Sequence, residues 1–358
     1  MPPPLVVSLL VLVSLPMVPW ASRLTFDLVP ETGSLDPRAL AAFQAAADRW
    51  WKRFYNDVAI YLAAGMKPLV GGTLGPAASR AIADSYTDVR ALRIANSNSA
   101  AANHRPADLP TGGPTYLDNN ADNIDRLIQR TYANARALGV PVNSPYPIGA
   151  VSDLHSGYVW DLNPADSGTP VTYDVVGVTT HESGDALGFL NGVDEPDAYS
   201  VPKNGLLRYA STACVIETLN LFRYCGPGTS AGVMDFSADS RSRFLSVDIG
   251  ITGIAQFANG KKFSDAGQAG HGKDDSGMEI VNPGAPAGRW LRVGPGDVAA
   301  LDAIGWNTLE KAPGPDRLAL CLIGLLAMVP SLLRRRGEIG GKRAGRSRRF
   351  QTGPYRIN

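Results

Sequence analysis

The segment VVGVTTHESGDALGF, from Val175 to Phe189, constrains the fold of this chain more strongly than any other part of the sequence. Its apolar residues recur at helical spacing, and Asp174 lies in the first turn, where a carboxylate interacts favourably with the helix dipole. Gly188 stands where helices commonly end. The sequence therefore predicts a helix with one face against the core and polar side chains on the opposite face.

The polar face of this helix carries His181, Glu182 and Asp185. Residues four apart lie on the same face of a helix, so His181 and Asp185 can bind one metal ion. Zinc accepts carboxylates as well as imidazoles as ligands, and hydrolytic zinc sites keep one coordination position open. A glutamate directly after the first ligand can take a proton from water. The spacing predicts His181 and Asp185 as metal ligands and Glu182 as the catalytic base.

The stretch HESGDALGF resembles HEIGHALGF of zincin-type metallopeptidases of the metzincin-like kind. Other segments also resemble one family of exported bacterial metalloproteases, many of which carry a PEP-CTERM sorting tail. These segments are LTFDL, FQAAADRW, WDLNPAD, LNLFRY, FLSVDIG, QAGHGKDD and ALDAIGW. The resemblance covers nearly the whole body of the chain. It implies a zincin-like α+β fold around the site helix and the zinc-dependent hydrolysis of a peptide or protein substrate.

Four residues depart from the family pattern. Asp185 stands where the family has a ligand histidine, and Ser183 where it has an isoleucine. Gly272 replaces a tryptophan, and Val281 in EIVNPG replaces the methionine expected beneath the metal. Aspartate is shorter than histidine, and its negative charge makes a bound water less acidic. We therefore expect zinc binding that is weak or lost, and reduced turnover.

The third metal ligand departs from the family pattern as well. The resemblance implies a histidine or aspartate three residues after Gly188, but Asn191 stands there and is a poor zinc ligand. Asp194 is the nearest carboxylate, and His271 is an imidazole far along the chain. Proximity favours Asp194 as the third ligand.

Two functions follow from these residues. The first is a zinc metalloendopeptidase with Glu182 as its base, in which the predicted strand DVAIYL, Asp57 to Leu62, offers its edge to an extended peptide. The second is a catalytically inactive binding or structural module, displayed at the surface, that keeps the fold without the metal. Measurements of zinc content and hydrolysis distinguish the two.

Both ends of the chain predict export. The apolar run from Leu5 to Val18 predicts a signal peptide, residues 1–22, with an uncleaved anchor as the alternative. The uncharged run 318–333 precedes three arginines, which predicts a helix in the inner membrane with a cytoplasmic tail. This tail resembles a PEP-CTERM signal, which implies a sorting or processing enzyme as a partner. Residues 23–311 are then the metallopeptidase domain, in the periplasm, at the cell surface or outside the cell, and residues 312–358 are the tail.

The net charge of +1 conceals an asymmetry between the tail and the rest of the chain. Nine basic residues and one glutamate lie between Arg334 and Asn358, so the remainder of the chain is acidic. Proteins that bind nucleic acid carry their basic residues on the folded domain. The charge distribution therefore argues against a nucleic-acid partner.

The remaining pattern predicts an α+β fold with an irregular C-terminal half. Asp36 followed by Pro37 predicts the start of a helix. Besides the site helix and the strand DVAIYL, the predicted elements are a helix from Asp36 to Phe54, a helix from Ile124 to Leu138, a strand from Val159 to Leu162 and a closing helix in Gly296 to Trp306.

Two further features each leave two interpretations open. Cys214 and Cys225 are either a disulfide or two buried thiols. The stretches Leu117 to Asp125 and Lys273 to Asp275 are rich in Asp and Asn, which suits either calcium binding or helix caps and solvated turns.

Overall fold

The computed structural model describes residues 24–30, 35–96, 109–117, 124–142, 149–163, 169–193, 201–203, 206–208, 214–226, 232–260, 268–282 and 284–308. The chain divides into two units, Met1–Glu310 and Lys311–Asn358, and every described residue belongs to the first. Among the helices of the described part, none is long and apolar enough to cross a membrane. The predicted signal peptide and the run 318–333 lie outside the described residues.

A four-stranded sheet forms one layer of the fold. Its strands lie in the order β1 (Thr25–Pro30), β2 (Ala59–Lys67), β7 (Ala150–His155) and β3 (Ala77–Ser79). The first three are parallel, and β3 is the antiparallel edge strand. DVAIYL leads into β2, which is paired on both sides. The prediction that this strand offers a free edge is therefore wrong, and β3 lies at the edge instead.

Two helices pack against each other near this sheet. The first, α1 (Pro37–Trp51), begins after Asp36, whose carboxylate accepts a hydrogen bond from the backbone N–H of Arg38 at 2.8 Å. The predicted N-cap is therefore confirmed. The second, α4 (Val175–Leu187), packs against α1, β3 and β7. Because the Trp50 indole N–H donates to the Thr180 carbonyl at 3.0 Å, the two helices are held in register.

The segment predicted as one long helix divides into a strand and a short helix. Residues Ile124–Thr131 form β6, and Tyr132–Ala137 form α3. In a three-stranded sheet, β6 pairs with β4 (Ala81–Ser85) on one side and with β12 (Cys214–Glu217) on the other. The prediction was wrong over β6, because pairing with two neighbours outweighs the local helical pattern.

The C-terminal half is more regular than predicted. A five-stranded sheet has the order β16-β15-β13-β14-β5, and all its neighbours are antiparallel except β14 and β5. Its strands are β5 (Thr115–Leu117), β13 (Arg223–Cys225), β14 (Val233–Asp235), β15 (Arg243–Leu245) and β16 (Ala255–Phe257). The other short elements are α2 (Tyr86–Ala95), β8 (Trp160–Asp161), β9 (Tyr173–Asp174), β10 (Val201–Lys203), β11 (Leu206–Arg208) and a 3-10 helix (Thr218–Phe222).

The closing helix, α5 (Pro295–Ile304), is confirmed. Trp306 follows it, is fully buried, and donates its indole N–H to the Leu187 carbonyl at 2.8 Å. This bond ties the end of the chain's body to the end of α4. Helices and sheets share one hydrophobic core, so the described residues form an α+β fold, as predicted.

The cysteine and calcium predictions fall mostly outside the described residues. The side chain of Cys214 and residues 118–123 lie outside the described residues. The disulfide between Cys214 and Cys225 and calcium binding by the first Asp- and Asn-rich stretch therefore stay predictions. In the second stretch, Asp274 accepts a hydrogen bond from the Asn282 amide at 2.8 Å. Asp275 is largely exposed and has a φ of 57°, which is typical of a turn.

Candidate metal centre

The site helix α4 is held at both ends. Asp174 is its N-cap, one residue earlier than the first turn predicted from the sequence. One carboxylate oxygen accepts from the Gly177 N–H at 2.8 Å and the other from the Leu291 N–H at 3.0 Å. Gly188 ends the helix with a φ of 105°, a left-handed conformation that favours glycine. The predicted end is therefore confirmed, and the helix cannot easily shift along its axis.

The surface of α4 is buried on nearly all sides. Every residue of the helix except His181 is buried. At Gly184, a Cβ atom would lie 3.2 Å from the Trp50 ring, so this residue lets α1 approach closely. The Ser183 hydroxyl donates to the Thr179 carbonyl at 2.6 Å. Serine therefore loses aliphatic packing here without leaving a buried polar group unsatisfied.

Three side chains meet beside this helix: His181, Asp185 and His271. A ligand atom from each lies within 4.8 Å of the others. Nε2 of His181 is 3.8 Å from Oδ2 of Asp185, and the two imidazole rings are stacked with an interplanar angle of 11°. The cluster can hold a metal ion, and it is the one such group of His, Cys, Asp or Glu among the described residues.

The third member of the cluster is His271, whereas proximity in the sequence favours Asp194. Asp194 itself lies outside the described residues. Asn191, at the position that the resemblance implies, is buried, and its Oδ1 accepts from the Asn220 amide at 2.7 Å and from the Val193 N–H at 3.3 Å. Asn191 is therefore engaged in packing the loop after α4.

His271 reaches the site on a turn next to β16. Its carbonyl accepts from the Ala258 N–H at 2.9 Å, and the following Gly272 N–H donates to the Val281 carbonyl at 3.1 Å. A Cβ atom on Gly272 would lie only 2.4 Å from Cβ of Met278. Glycine is therefore required by close packing where the resemblance implied a tryptophan.

The orientation of the His181 ring is set by a backbone carbonyl. Nδ1 of His181 lies 2.8 Å from the Ile280 carbonyl oxygen. Because a carbonyl only accepts hydrogen bonds, Nδ1 carries the proton and Nε2 is left free to bind a metal. The next residue, Val281, packs beneath α4, with Cγ1 3.6 Å from the place a Cβ would take on Gly184. A smaller side chain thus takes the place of the methionine that the resemblance implied.

Burial shifts the pKa values at the site in opposite directions. Burial and then the neighbouring His271 lower the pKa of His181 to about 3, although its bond to Ile280 raises it. His181 is therefore neutral near pH 7, which is the form that binds metals. Burial first, and then the charge of Asp185, raise the pKa of Glu182 well above its ordinary value. A bound cation would lower the pKa of Glu182 again.

The donor set fits zinc. With bonds of about 2.0–2.2 Å, two ligands at a tetrahedral angle lie about 3.4 Å apart. The 3.8 Å between Nε2 of His181 and Oδ2 of Asp185 is close to this value. The ligand atoms of the whole cluster lie within 4.8 Å of one another, so the three side chains would have to move closer together to hold one ion. Three protein ligands also leave a fourth position open, as in catalytic sites.

Access to the centre is narrow in the described part of the protein. The side chains of His181 and Asp185 are 15% and 12% exposed. Three surface cavities, among them one of about 510 Å³ beside Trp160, include no residue of the cluster.

Comparison with known proteins yields no relative for this chain. No protein-family model, no curated protein and no solved structure matches it.

Proposed function

We propose that this chain is an exported, zinc-dependent metallopeptidase-like protein with a zincin-like fold. The observation that carries the proposal is the cluster of His181, Asp185 and His271 beside a helix that also carries Glu182. Two imidazoles and one carboxylate are a donor set found in catalytic zinc sites, and an adjacent glutamate supplies the base that peptide hydrolysis needs.

Each residue of the site has a distinct role in this proposal. His181, Asp185 and His271 would hold the ion, with His181 in the tautomer set by the Ile280 carbonyl. When bound, zinc supplies Lewis acidity towards a peptide carbonyl and lowers the pKa of water. Glu182 accepts the proton that the attacking water loses and passes it to the amine nitrogen of the leaving group.

The edge strand β3 is the proposed docking element for an extended peptide. It is antiparallel to β7, has no partner on its other side within the four-stranded sheet, and packs against α4. A peptide that pairs with such an edge through its main chain would lie beside the site helix. Two further partners are proposed: the inner membrane, which residues 318–333 would enter, and a sorting enzyme that would act at the C-terminus.

A second function is favoured by the closed state of the centre. The Asp185 side chain, at the second ligand position, is only 12% exposed. Burial, and then the charge of Asp185, raise the pKa of Glu182, which disfavours the ionised form that a base needs. Such a site suits a catalytically inactive module that binds a protein partner at the cell surface or in the periplasm. This module would keep the α+β scaffold and hold zinc weakly or not at all.

One experiment on the full chain, purified in detergent, distinguishes the two proposed functions. Zinc content is measured by mass spectrometry, and hydrolysis by peptide release from casein, for the wild type, Glu182→Gln and His271→Ala. Glu279→Gln is the matched control, because Glu279 is exposed. A peptidase requires zinc and hydrolysis in the wild type and the control, zinc without hydrolysis in Glu182→Gln, and neither in His271→Ala. A wild type that stays inactive after zinc is added would instead support the inactive module.

A further inference from the structure

The buried carboxylate of Asp297 holds the backbone segment that orients His181. Asp297 is a first-turn residue of α5 and is fully buried. Its Oδ2 accepts three backbone hydrogen bonds, from Glu279 and Ile280 at 3.0 Å each and from Gly294 at 2.7 Å. Bonds to a charged acceptor are stronger than neutral ones, so these amides are firmly placed.

The first turn of α5 also contacts this segment directly. The Gly296 N–H donates to the Gly277 carbonyl at 2.8 Å. A Cβ atom on either Gly294 or Gly296 would lie 2.6 Å from that carbonyl oxygen, so only glycine permits the contact. The position of α5 therefore determines the position of residues 277–281.

One residue, Ile280, links Asp297 to the metal centre. Its N–H donates to Oδ2 of Asp297 at 3.0 Å, and its carbonyl accepts a hydrogen bond from Nδ1–H of His181 at 2.8 Å. Burial raises the pKa of Asp297 to about 6, against its backbone hydrogen bonds, above all the one from Ile280. Because Ile280 bonds to Asp297 on one side and to His181 on the other, a shift of its N–H away from Asp297 would also shift the acceptor for His181.

The segment also supports the second histidine. The Val281 carbonyl accepts from the Gly272 N–H at 3.1 Å, next to His271. Both histidines of the cluster are thus connected to residues 280 and 281. A displacement of this backbone would move the acceptor for His181 and the turn that carries His271 together.

We infer that Asp297 is a positioning residue of the metal centre, acting through residues 279–281. Its carboxylate keeps the Ile280 carbonyl in place, so that His181 holds its proton on Nδ1 and presents Nε2 to the cluster. The inference rests on the proposed function in one respect, that Nε2 of His181 binds the metal. The tautomer of His181 in the metal-free protein is independent of that function.

The test compares Asp297→Asn with the wild type as full chains. Asp302→Asn is the matched control, because Asp302 is a buried aspartate on the same helix. The tautomer of each histidine is read from ¹⁵N chemical shifts of the imidazoles in metal-free protein, which is tractable because the chain has four histidines. Zinc affinity is measured by competition with a chromophoric chelator, and folding by circular dichroism.

We expect wild-type His181 to carry its proton on Nδ1 and Asp297→Asn to populate both tautomers. The zinc affinity of Asp297→Asn should fall about 10–100-fold, which is the usual effect of losing a residue that orients a ligand histidine. Asp302→Asn should change neither quantity. If wild-type His181 carries its proton on Nε2, or if Asp297→Asn keeps both the tautomer and the affinity, the inference is wrong.

Failure of the proposed function gives a different result. A wild type that binds no zinc, but whose His181 loses its tautomer preference in Asp297→Asn, supports the positioning role and contradicts the peptidase. Should Asp297→Asn fail to fold, Asp297→Ser is measured in the same way, because serine suits the first turn of a helix and its hydroxyl accepts a backbone hydrogen bond. An unchanged tautomer in that variant would overturn the inference.

Discussion

The imidazole rings of His181 and His271 are stacked, with centroids 5.3 Å apart and 11° between the planes. One ring belongs to the middle of α4 and the other to a turn beside β16, so the pair exists only in the folded chain. Burial and the proximity of His271 lower the pKa of His181 to about 3. A pair of closely spaced imidazoles with a carboxylate beside them is suited to share a cation.

Replacing Asp185 with histidine should strengthen zinc binding. An imidazole reaches further from α4 than a carboxylate and removes the negative charge that raises the pKa of Glu182. We expect a gain of about tenfold or more in affinity, which is about 1.4 kcal/mol. Chelator competition measures the affinity, and Asp185→Asn, which loses both ligand and charge, should bind more weakly than the wild type. Equal affinities in all three chains would remove Asp185 from the metal site.

Removing His271 should weaken zinc binding further, whereas removing Asp194 should have little effect. His271 lies within 4.8 Å of the other two ligand atoms, and a metal left with two ligands is held loosely. We expect a loss of about 100-fold or more in His271→Ala, comparable to the loss in His181→Ala. Zinc titration of His271→Ala and Asp194→Ala compares the candidates directly. A greater loss in Asp194→Ala would assign the third ligand to Asp194.

Glu182→Gln should stabilise the metal-free protein at neutral pH. The unfolded chain ionises this carboxyl above a pKa of 4.5, whereas the folded protein keeps its proton to higher pH because the pKa is raised by burial and by Asp185. Between the two pKa values the folded state binds more protons, so the contribution of Glu182 to the free energy of unfolding falls as the pH rises. The stabilisation by glutamine should therefore be small near pH 4 and grow towards pH 8.

Urea unfolding at several pH values measures this difference. Glu279→Gln is again the control, because it makes the same chemical change at an exposed position. A gain of the same size in that variant would contradict the prediction. A gain for Glu182→Gln that is largest at pH 4 would mean that Glu182 is ionised in the folded protein.

Gly272→Ala should destabilise the fold and weaken the metal centre together. The added Cβ would lie 2.4 Å from Cβ of Met278 and 3.0 Å from the side-chain oxygen of Asn282, so the turn next to His271 must shift. Overpacking of this kind costs about 1–3 kcal/mol in the free energy of unfolding. Gly112→Ala is the matched control, since no atom of another described residue, apart from its chain neighbours, lies within 4 Å of its added Cβ. Thermal unfolding and zinc titration of both variants check the prediction, and similar results for the two would contradict it.

Local sequence was sufficient to place the start of α1 and the end of α4. Asp36 and Gly188 cap α1 and α4 as predicted, because a cap depends on a few adjacent residues and on the conformations they favour. The spacing of His181, Glu182 and Asp185 placed them on one helix for a similar reason, since the geometry of a helix relates residues four apart. The sequence by itself therefore determined the site helix and two of the three members of its cluster.

Tertiary structure alone decided the remaining features of the fold and of the metal centre. Residues Ile124–Thr131 became a strand because two neighbouring strands supply hydrogen-bond partners. His271 completed the cluster, and the Ile280 carbonyl set the tautomer of His181, through contacts between segments far apart in the chain. Such contacts depend on the whole path of the backbone, including the close approach of α5 at Gly296, and a local pattern of residues contains no information about that path.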